Sequence, residues 1–196
     1  MADNRTTGRS SKAFTGIEYV FLDRDGVINR KPPEGQYISK WGDFHPLPGA
    51  EQAIAALNAS GRTVIVITNQ RGVALGLYTE DDVRSLHLEL QRQFSNHSAH
   101  IDAFYYCPHD KNQCNCRKPS TGLFEQAFRD FPQASSANSI VIGDSISDIQ
   151  AARNLSLPSI FITGDPNHRK AGAEEAASLA DAAAESLAQA VECYLL

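Results

Sequence analysis

The amino-acid sequence predicts an α/β fold, a Rossmann-like doubly wound parallel sheet with helices on both faces. Short runs of β-branched or aromatic residues alternate along the chain with segments of helical periodicity. Such alternation is typical of parallel strands joined by crossover helices. The runs Tyr19–Leu22 and 63–67 also lack an apolar/polar alternation, which indicates strands buried on both faces.

The predicted elements follow one another without an internal repeat or a composition break. Strands are predicted at residues 19–22, 63–67, 101–106, 140–142 and 160–162. Helices are predicted at residues 48–59, 79–94, 121–131 and 147–155, and a last helix is capped by Ser186 with Gln189 completing its capping box. Part of 180–185 could instead be an edge strand, because its periodicity does not decide.

The length of 196 residues suits one domain, expected over residues 16–196. Residues 1–15 are polar and are expected to be a disordered leader, with an organelle-targeting role as the alternative. No segment is long enough for a large cap domain. A monomer in the cytoplasm is the expectation, since no secretory signal is present.

The overall charge argues against two classes of partner. A net charge of −5 and a pI near 5.6 argue against the large basic face that a nucleic acid would need. No apolar run approaches the ~20 residues that a membrane span needs. A small anionic ligand remains compatible, because a few local cations suffice to bind it.

Polar residues stand at the ends of four predicted strands. Asp23 and Asp25 follow the first, Thr68 the second, Arg117 and Lys118 come after the third, and Asp144 follows the fourth. A bare D-x-D is more often a polar turn, but strand ends of a parallel sheet share one edge. Carboxylates there suit Mg²⁺, and a lysine with a hydroxyl suits an anion. This combination indicates phosphoryl transfer.

A second cluster combines thiols with an imidazole. Cys107, His109, Cys114 and Cys116 lie within ten residues, and such a set forms closed tetrahedral structural Zn²⁺ sites. Reduced surface cysteines beside a chance histidine are the alternative. Cys193 is interpreted as a small buried hydrophobic residue. The other histidines are expected in solvated or core positions, and His87 is the one most worth inspecting.

These motifs together resemble the haloacid dehalogenase (HAD) superfamily of phosphohydrolases. The matching elements are the strand end Asp23-Arg24-Asp25-Gly26, the threonine Thr68, the lysine Lys118 and a G-D-x-x-x-D segment from Gly143 to Asp148. They occur in the family's order and cover roughly residues 17–165. Asp148 itself is equally compatible with an acidic helix start.

The resemblance implies a role for each matching residue. Asp23 would be the nucleophile that forms an aspartyl-phosphate, and Asp25 the general acid and base. Thr68 and Lys118 would hold the transferring phosphoryl oxygens. Mg²⁺ would bind the Asp23 carboxylate, the Asp25 backbone carbonyl and Asp144.

The cysteine loop narrows the resemblance to one branch. The C-x-H…C-x-C-R-K-P segment is similar to the branch of heptose bisphosphate and histidinol-phosphate phosphatases. In that branch, the residues implied in substrate binding are Tyr37, Asn69, Gln70, Arg71 and Arg117. Arg71, Leu75 and Ser145 stand where the pattern usually has serine, arginine and lysine.

The resulting hypothesis is a phosphatase that removes the 7-phosphate of D-glycero-D-manno-heptose 1,7-bisphosphate, a precursor of nucleotide-activated heptose for lipopolysaccharide core. Histidinol phosphate is the alternative substrate. A catalytically idle binding module is less favoured because Asp23 and Asp25 are both intact. A polynucleotide end-phosphatase is less favoured because no basic stripe exists.

Overall fold

The computed structural model describes residues 14–33, 35–164 and 171–196. Six parallel strands form one sheet in the order β3-β2-β1-β4-β5-β6. The strands are β1 (Tyr19–Leu22), β2 (Thr63–Asn69), β3 (Ala103–Cys107), β4 (Ser139–Gly143), β5 (Ser159–Ile162) and β6 (Ala182–Ala184). The helices are α1 (Ala50–Ala59), α2 (Glu80–Ser95), α3 (Gly122–Asp130), α4 (Ile146–Asn154), α5 (Ala173–Leu179) and α6 (Leu187–Tyr194).

The predicted doubly wound sheet is confirmed, with β1 at its centre. All four β1 residues are buried, and β1 pairs with β2 on one side and β4 on the other. Strands β2 and β3 therefore extend the sheet on one side of β1, and the chain then returns to extend it with β4, β5 and β6 on the other side. Open α/β sheets bind ligands at such a switch point, outside the carboxyl ends of the strands.

Helices cover both faces of the sheet, as the unbroken apolar strands predicted. Val20 and Leu22 pack into a core with α1, α2 and α6, whereas Tyr19 and Phe21 pack into a second core with α3 and α4. The Phe21 ring meets that of Phe124 edge-on, with centroids 5.3 Å apart. Each large apolar side chain buried in this way contributes about 1.5–3 kcal/mol.

The C-terminal part departs most from the sequence prediction. Helix α5 was not predicted, and 182–184 form the edge strand that the periodicity left open. Ser186 caps α6, but the Gln189 amide oxygen accepts from Glu185 N instead of completing the predicted box. The buried position predicted for Cys193 is wrong. It is exposed because Leu187 and Val191 belong to the opposite, core-facing side of α6.

The N-terminal prediction falls mostly outside the described residues. Residues 1–13 lie outside the described residues, whereas Phe14, which the sequence prediction placed in the leader, contacts Tyr194 of α6. Its backbone N–H donates to the Tyr194 carbonyl at 2.9 Å, and the two rings lie 6.1 Å apart.

The chain between β1 and α1 forms a loop wall beside the sheet edge. A 3₁₀ turn at Trp41–Asp43 and a bridge between Asn29 and Pro46 hold this segment together. The part of the chain that the structure describes contains no separate cap domain, as predicted. None of its helices combines the length and apolar character that a bilayer span requires.

Candidate active site

The polar strand ends converge on one open cleft of about 430 Å³. Leu22 pairs with Val66 and with Ile142, and the chains that continue from these three residues carry Asp23, Thr68 and Asp144 at the same edge of the sheet. The predicted site residues that line the cleft are Asp23, Asp25, Tyr37, Thr68, Asn69, Arg71 and Arg117.

Asp23 lies at the floor of the cleft as a carboxylate. Its Oδ1 accepts a hydrogen bond from the Arg24 backbone N–H at 2.8 Å and lies 2.9 Å from Lys118 Nζ. Burial alone would raise the pKa of Asp23. The ammonium groups of Lys118 and Lys31, with the Arg24 N–H, outweigh burial and lower the pKa below its ordinary value. Asp23 is therefore ionised at neutral pH, as its predicted role of nucleophile requires.

Lys118 is a buried ammonium held by three oxygens. Nζ lies 2.9 Å from Asp23, 2.6 Å from Asp148 Oδ1 and 2.6 Å from the Ile67 carbonyl. Burial lowers the pKa of Lys118, but the two carboxylates raise it further than burial lowers it. The charge therefore persists at neutral pH and points into the site from beneath.

The side-chain amide of Asn69 forms hydrogen bonds with the backbone of Lys118. Asn69 Oδ1 accepts from the Lys118 N–H at 3.1 Å, and Asn69 Nδ2 donates to the Lys118 carbonyl at 3.2 Å. These two hydrogen bonds resemble a hydrogen-bonded pair between neighbouring strands of a sheet. They join the end of β2 to the chain that follows the cysteine loop.

A carboxylate cluster at the same edge fits a hard divalent cation. Oxygen atoms of Asp23, Asp144 and Asp148 lie within 4.8 Å of one another. Gly26 has φ of 100°, and a Cβ there would lie 2.2 Å from Asp144 Oδ2. The sequence therefore needs glycine both for the turn and for space beside this carboxylate. Lys31 Nζ also contacts Asp144 Oδ2.

The four predicted sulfur and nitrogen ligands come together at the end of β3. Cys116 Sγ lies 3.2 Å from the Sγ atoms of both Cys107 and Cys114 and 3.3 Å from His109 Nδ1. None of these cysteines forms a disulfide. Burial raises the pKa of Cys114, but bonds from Cys116 and the Arg117 backbone outweigh it and lower the pKa to about 7. This donor set could hold a metal.

Besides Asn69, two more residues predicted to bind substrate have other partners in the structure. Arg71 forms a two-bond ion pair with Asp110 of the cysteine loop, at 2.5 and 3.2 Å. Gln70 is only 2% exposed, and its amide nitrogen donates to Thr68 and Asp25. A role in contacting substrate stays a prediction for all five residues named for it: Tyr37, Asn69, Gln70, Arg71 and Arg117.

Sequence reasoning missed several residues of the site. Lys31 and Lys111 also line the cleft. Their signal was weak, since both are single lysines in loops. Arg24 forms a buried pair with His87, the histidine that the sequence singled out without a role, at the rear of Asp25. Asp148 had a signal, the last position of G-D-x-x-x-D, and it contacts Lys118.

The fold and this site define the class of HAD-like phosphohydrolases. A family model described as HAD-hydrolase-like matches residues 115–190, which include Lys118, Asp144 and Asp148. The crystal structure of a D,D-heptose 1,7-bisphosphate phosphatase from B. bronchiseptica, complexed with magnesium and phosphate, is similar with a TM-score of 0.78 and 27% identity. The match covers 90% of this chain and 97% of that one.

Curated relatives identify the family within that class. The chain is 40% identical over 169 residues to the D-glycero-alpha-D-manno-heptose-1,7-bisphosphate 7-phosphatase of Mycobacterium tuberculosis, covering 86% of each chain. It is 37% identical over 157 residues to the corresponding beta enzyme of Vibrio cholerae, covering 75% of this chain and 82% of that one. The chain belongs to the family of heptose-bisphosphate 7-phosphatases.

Proposed function

We propose that the protein hydrolyses the 7-phosphate of D-glycero-D-manno-heptose 1,7-bisphosphate through an aspartyl-phosphate intermediate. The observation that carries this proposal is the placement of opposite charges along one cleft. The Asp23 carboxylate lies at its floor against Lys118, while Arg71, Lys111 and Arg117 also line it. A substrate with two phosphates fits such a cleft, because one can lie at the floor and the other among the remaining cations.

The donor sets support two different metal ions. The carboxylates of Asp23 and Asp144, with the Asp25 backbone carbonyl, suit Mg²⁺. Mg²⁺ would offset the negative charge of the transferring phosphoryl group. The set Cys107, His109, Cys114 and Cys116 suits a closed, structural Zn²⁺ site, because four protein donors leave no position of the tetrahedron for water.

In the first step, an Asp23 carboxylate oxygen attacks phosphorus and the bond from phosphorus to O7 of the sugar breaks. Lys118 and the Thr68 hydroxyl hold the phosphoryl oxygens during the transfer. Asp25 gives its proton to the leaving alkoxide, which departs as the sugar hydroxyl. The phosphoryl group is then an acyl phosphate on Asp23.

In the second step, water attacks the phosphorus of the aspartyl-phosphate and gives one proton to Asp25. The bond between the Asp23 oxygen and phosphorus breaks, and inorganic phosphate leaves. Both residues then have their starting protonation states. Two successive displacements replace one direct attack of water on the phosphomonoester.

The relatives support the α-anomer as the preferred substrate. The M. tuberculosis enzyme that is named for the alpha form shares more identity and a larger part of the chain than the V. cholerae enzyme named for the beta form. The two anomers differ in where the 1-phosphate points from the sugar ring. The cations of Arg71, Lys111 and Arg117 would distinguish them.

Two further parts of the proposal concern the setting of the reaction. We propose that the protein acts as a monomer in the cytoplasm on a small phosphorylated sugar, without a nucleic-acid or membrane partner. The acidic composition, with a net charge of −5, supports the part of this proposal that concerns nucleic acids.

The test measures phosphate release from both anomers of the bisphosphate, from heptose 7-phosphate and from histidinol phosphate, with wild type and Arg117→Ala. We expect Arg117→Ala to raise KM for the bisphosphate by about 10–100-fold, the effect of losing one charge-assisted hydrogen bond. KM for heptose 7-phosphate should change little, because that substrate has no 1-phosphate. Asp23→Asn supplies the background, since its amide forms no acyl phosphate.

An equal rise of KM for both heptose substrates contradicts a second-phosphate site at Arg117. A clear preference of the wild type for histidinol phosphate would show that the proposed substrate is wrong. Turnover by Asp23→Asn would exclude the aspartyl-phosphate mechanism.

A further inference from the structure

Arg24 is a charged side chain buried in the protein interior, between the two aspartates of the D-x-D motif. Its exposed fraction is 0%. Its guanidinium donates to both carboxylate oxygens of Asp25, with Nη2 at 3.1 and 3.0 Å and Nε at 3.2 Å. A buried charge is costly unless each of its donors is satisfied. The remaining partners of Arg24 therefore bear on the position of Asp25.

His87 of α2 is one of these partners. Its Nε2 lies 3.3 Å from Arg24 Nη1, and its ring stacks on Phe104 at a centroid distance of 4.5 Å. Burial, followed by the charge of Arg24, lowers the pKa of His87 to about 3. The neutral ring accepts from the guanidinium through Nε2, so its proton is on Nδ1. The stacked ring of Phe104 limits how the acceptor can turn.

Gln70 and Tyr78 complete the arrangement on the other side. Gln70 Oε1 accepts from Arg24 Nη2 at 3.2 Å and from the Tyr78 hydroxyl at 2.8 Å. Its amide nitrogen donates to Asp25 Oδ2 at 3.2 Å and Thr68 Oγ1 at 2.9 Å. Burial raises the pKa of Tyr78 to about 12, so the hydroxyl keeps the proton that it donates.

The loop before Tyr78 leaves room for its ring at Gly72. A Cβ at Gly72 would lie 2.0 Å from the Tyr78 ring, so this close approach requires glycine. Asn29 adds one more bond to Asp25, from Nδ2 to Oδ1 at 2.9 Å. Both oxygens of Asp25 are thus held from several directions.

We propose that Arg24, Gln70, His87 and Tyr78 are positioning residues for the reaction, and that together they form an Asp25 cradle which aims the general acid at the leaving oxygen. This inference rests on the proposed function, in which Asp25 protonates an alkoxide. A general acid acts only within hydrogen-bond reach of its target. The fork of the guanidinium holds two oxygens of Asp25 at once, so it sets the plane of the carboxyl group.

The test compares two leaving groups. A sugar alkoxide needs a proton to depart, whereas p-nitrophenolate departs readily as an anion. The ratio kcat/KM reports events up to the departure of this first leaving group, before water enters. A misaimed Asp25 should therefore lower kcat/KM for the sugar phosphate far more than for p-nitrophenyl phosphate.

His87→Leu removes the hydrogen-bond acceptor of Arg24 and puts an apolar side chain in its place. His87→Gln supplies another acceptor at the same position. We expect His87→Leu to lower kcat/KM for heptose bisphosphate by about 100-fold, the order of effect of a small misplacement of a catalytic group. The loss for p-nitrophenyl phosphate should be less than about a tenth as large. His87→Gln should recover most of the difference. Leu88→Ala, on the exposed face of the same helix, is the matched control.

Tyr78→Phe keeps the ring and removes one hydroxyl, so it carries the test if His87→Leu does not fold. Equal losses on both substrates, or no loss in a folded variant, overturn the cradle. If the wild type does not hydrolyse heptose bisphosphate, the proposed substrate fails separately. The cradle is then tested with another alkyl phosphate, such as glycerol phosphate, against p-nitrophenyl phosphate.

Discussion

Two helices of this protein begin with the same acidic cap, but only one of these caps is buried. Asp148 Oδ2 accepts from the Ser145 N–H at 3.0 Å and from its hydroxyl at 2.6 Å. Asp82 Oδ2 accepts from the corresponding groups of Thr79, both at 2.8 Å. Asp148 differs because its side chain is 1% exposed and its Oδ1 lies 2.6 Å from Lys118 Nζ. The comparison of Asp148→Asn with Asp82→Asn therefore isolates the buried ion pair.

Asp148→Asn should reduce the free energy of unfolding by about 3 kcal/mol, the low end of the range for breaking one side of a buried pair. The low end applies because Lys118 keeps Asp23 as a second partner at 2.9 Å. For a domain of this size, each kcal/mol changes Tm by about 2–4 °C, which gives a decrease of about 6–12 °C. Asp82→Asn loses only a solvent-exposed cap and should cost much less.

Thermal unfolding followed by circular dichroism, at the same pH and ionic strength for both variants, measures this difference. Asp148→Asn should also lower kcat, because Lys118 loses one of the oxygens that direct its ammonium toward Asp23. Equal decreases of Tm in the two variants would refute the reasoning, since they would assign the whole effect to the helix cap.

Two more predictions follow from the titrating and metal-binding groups. The folded pKa of His87, about 3, lies below its unfolded value of 6.5, so the unfolded chain binds the proton first as the pH falls. Stability is lost below the unfolded value, by about 2 kcal/mol between pH 7 and pH 5. Urea unfolding should show this loss in the wild type and a smaller one in His87→Gln; parallel profiles would contradict it. Elemental analysis should find about one zinc per chain in the wild type and in Cys193→Ser, whose cysteine is exposed. Cys114→Ser should lose zinc and stability, and a full zinc content in that variant would exclude Cys114 as a ligand.

The sheet and the floor of the site could be predicted because their signals are local. A run of four apolar residues ending in Asp23 identifies a buried strand and its polar end. Parallel topology then brings Asp144, more than a hundred residues away, to the same edge. The cysteine loop is more local still, since its four ligands lie within ten residues. In each case, the position of a residue in the sequence is enough to predict which other residues it lies near.

The partners of these residues could not be predicted, because they depend on side-chain packing between distant elements. Nothing in D-R-D shows that Arg24 turns inward, and an arginine in a turn is ordinarily exposed. Its partner His87 lies 63 positions away, on a helix whose apolar face is explained by Leu86 and Leu90. The ion pair between Arg71 and Asp110 could not be predicted from the sequence for the same reason.

The structure shows how an uncapped site can hold in place the loops that carry its cations. In the part of the chain described, the cations of the cleft lie on loops rather than on a covering domain. The cysteine loop is held at three places: by its own ligand cluster, by the pair of Asp110 with Arg71, and by the pair of Asn69 with the Lys118 backbone. Arg117 lies between the second and third of these in the chain that leads out of the loop. The backbone that carries Arg117 is fixed in this way before the substrate arrives, so little backbone entropy is lost when a phosphate binds. Rigid loops can therefore discriminate between sugar phosphates without the closure that a cap would provide.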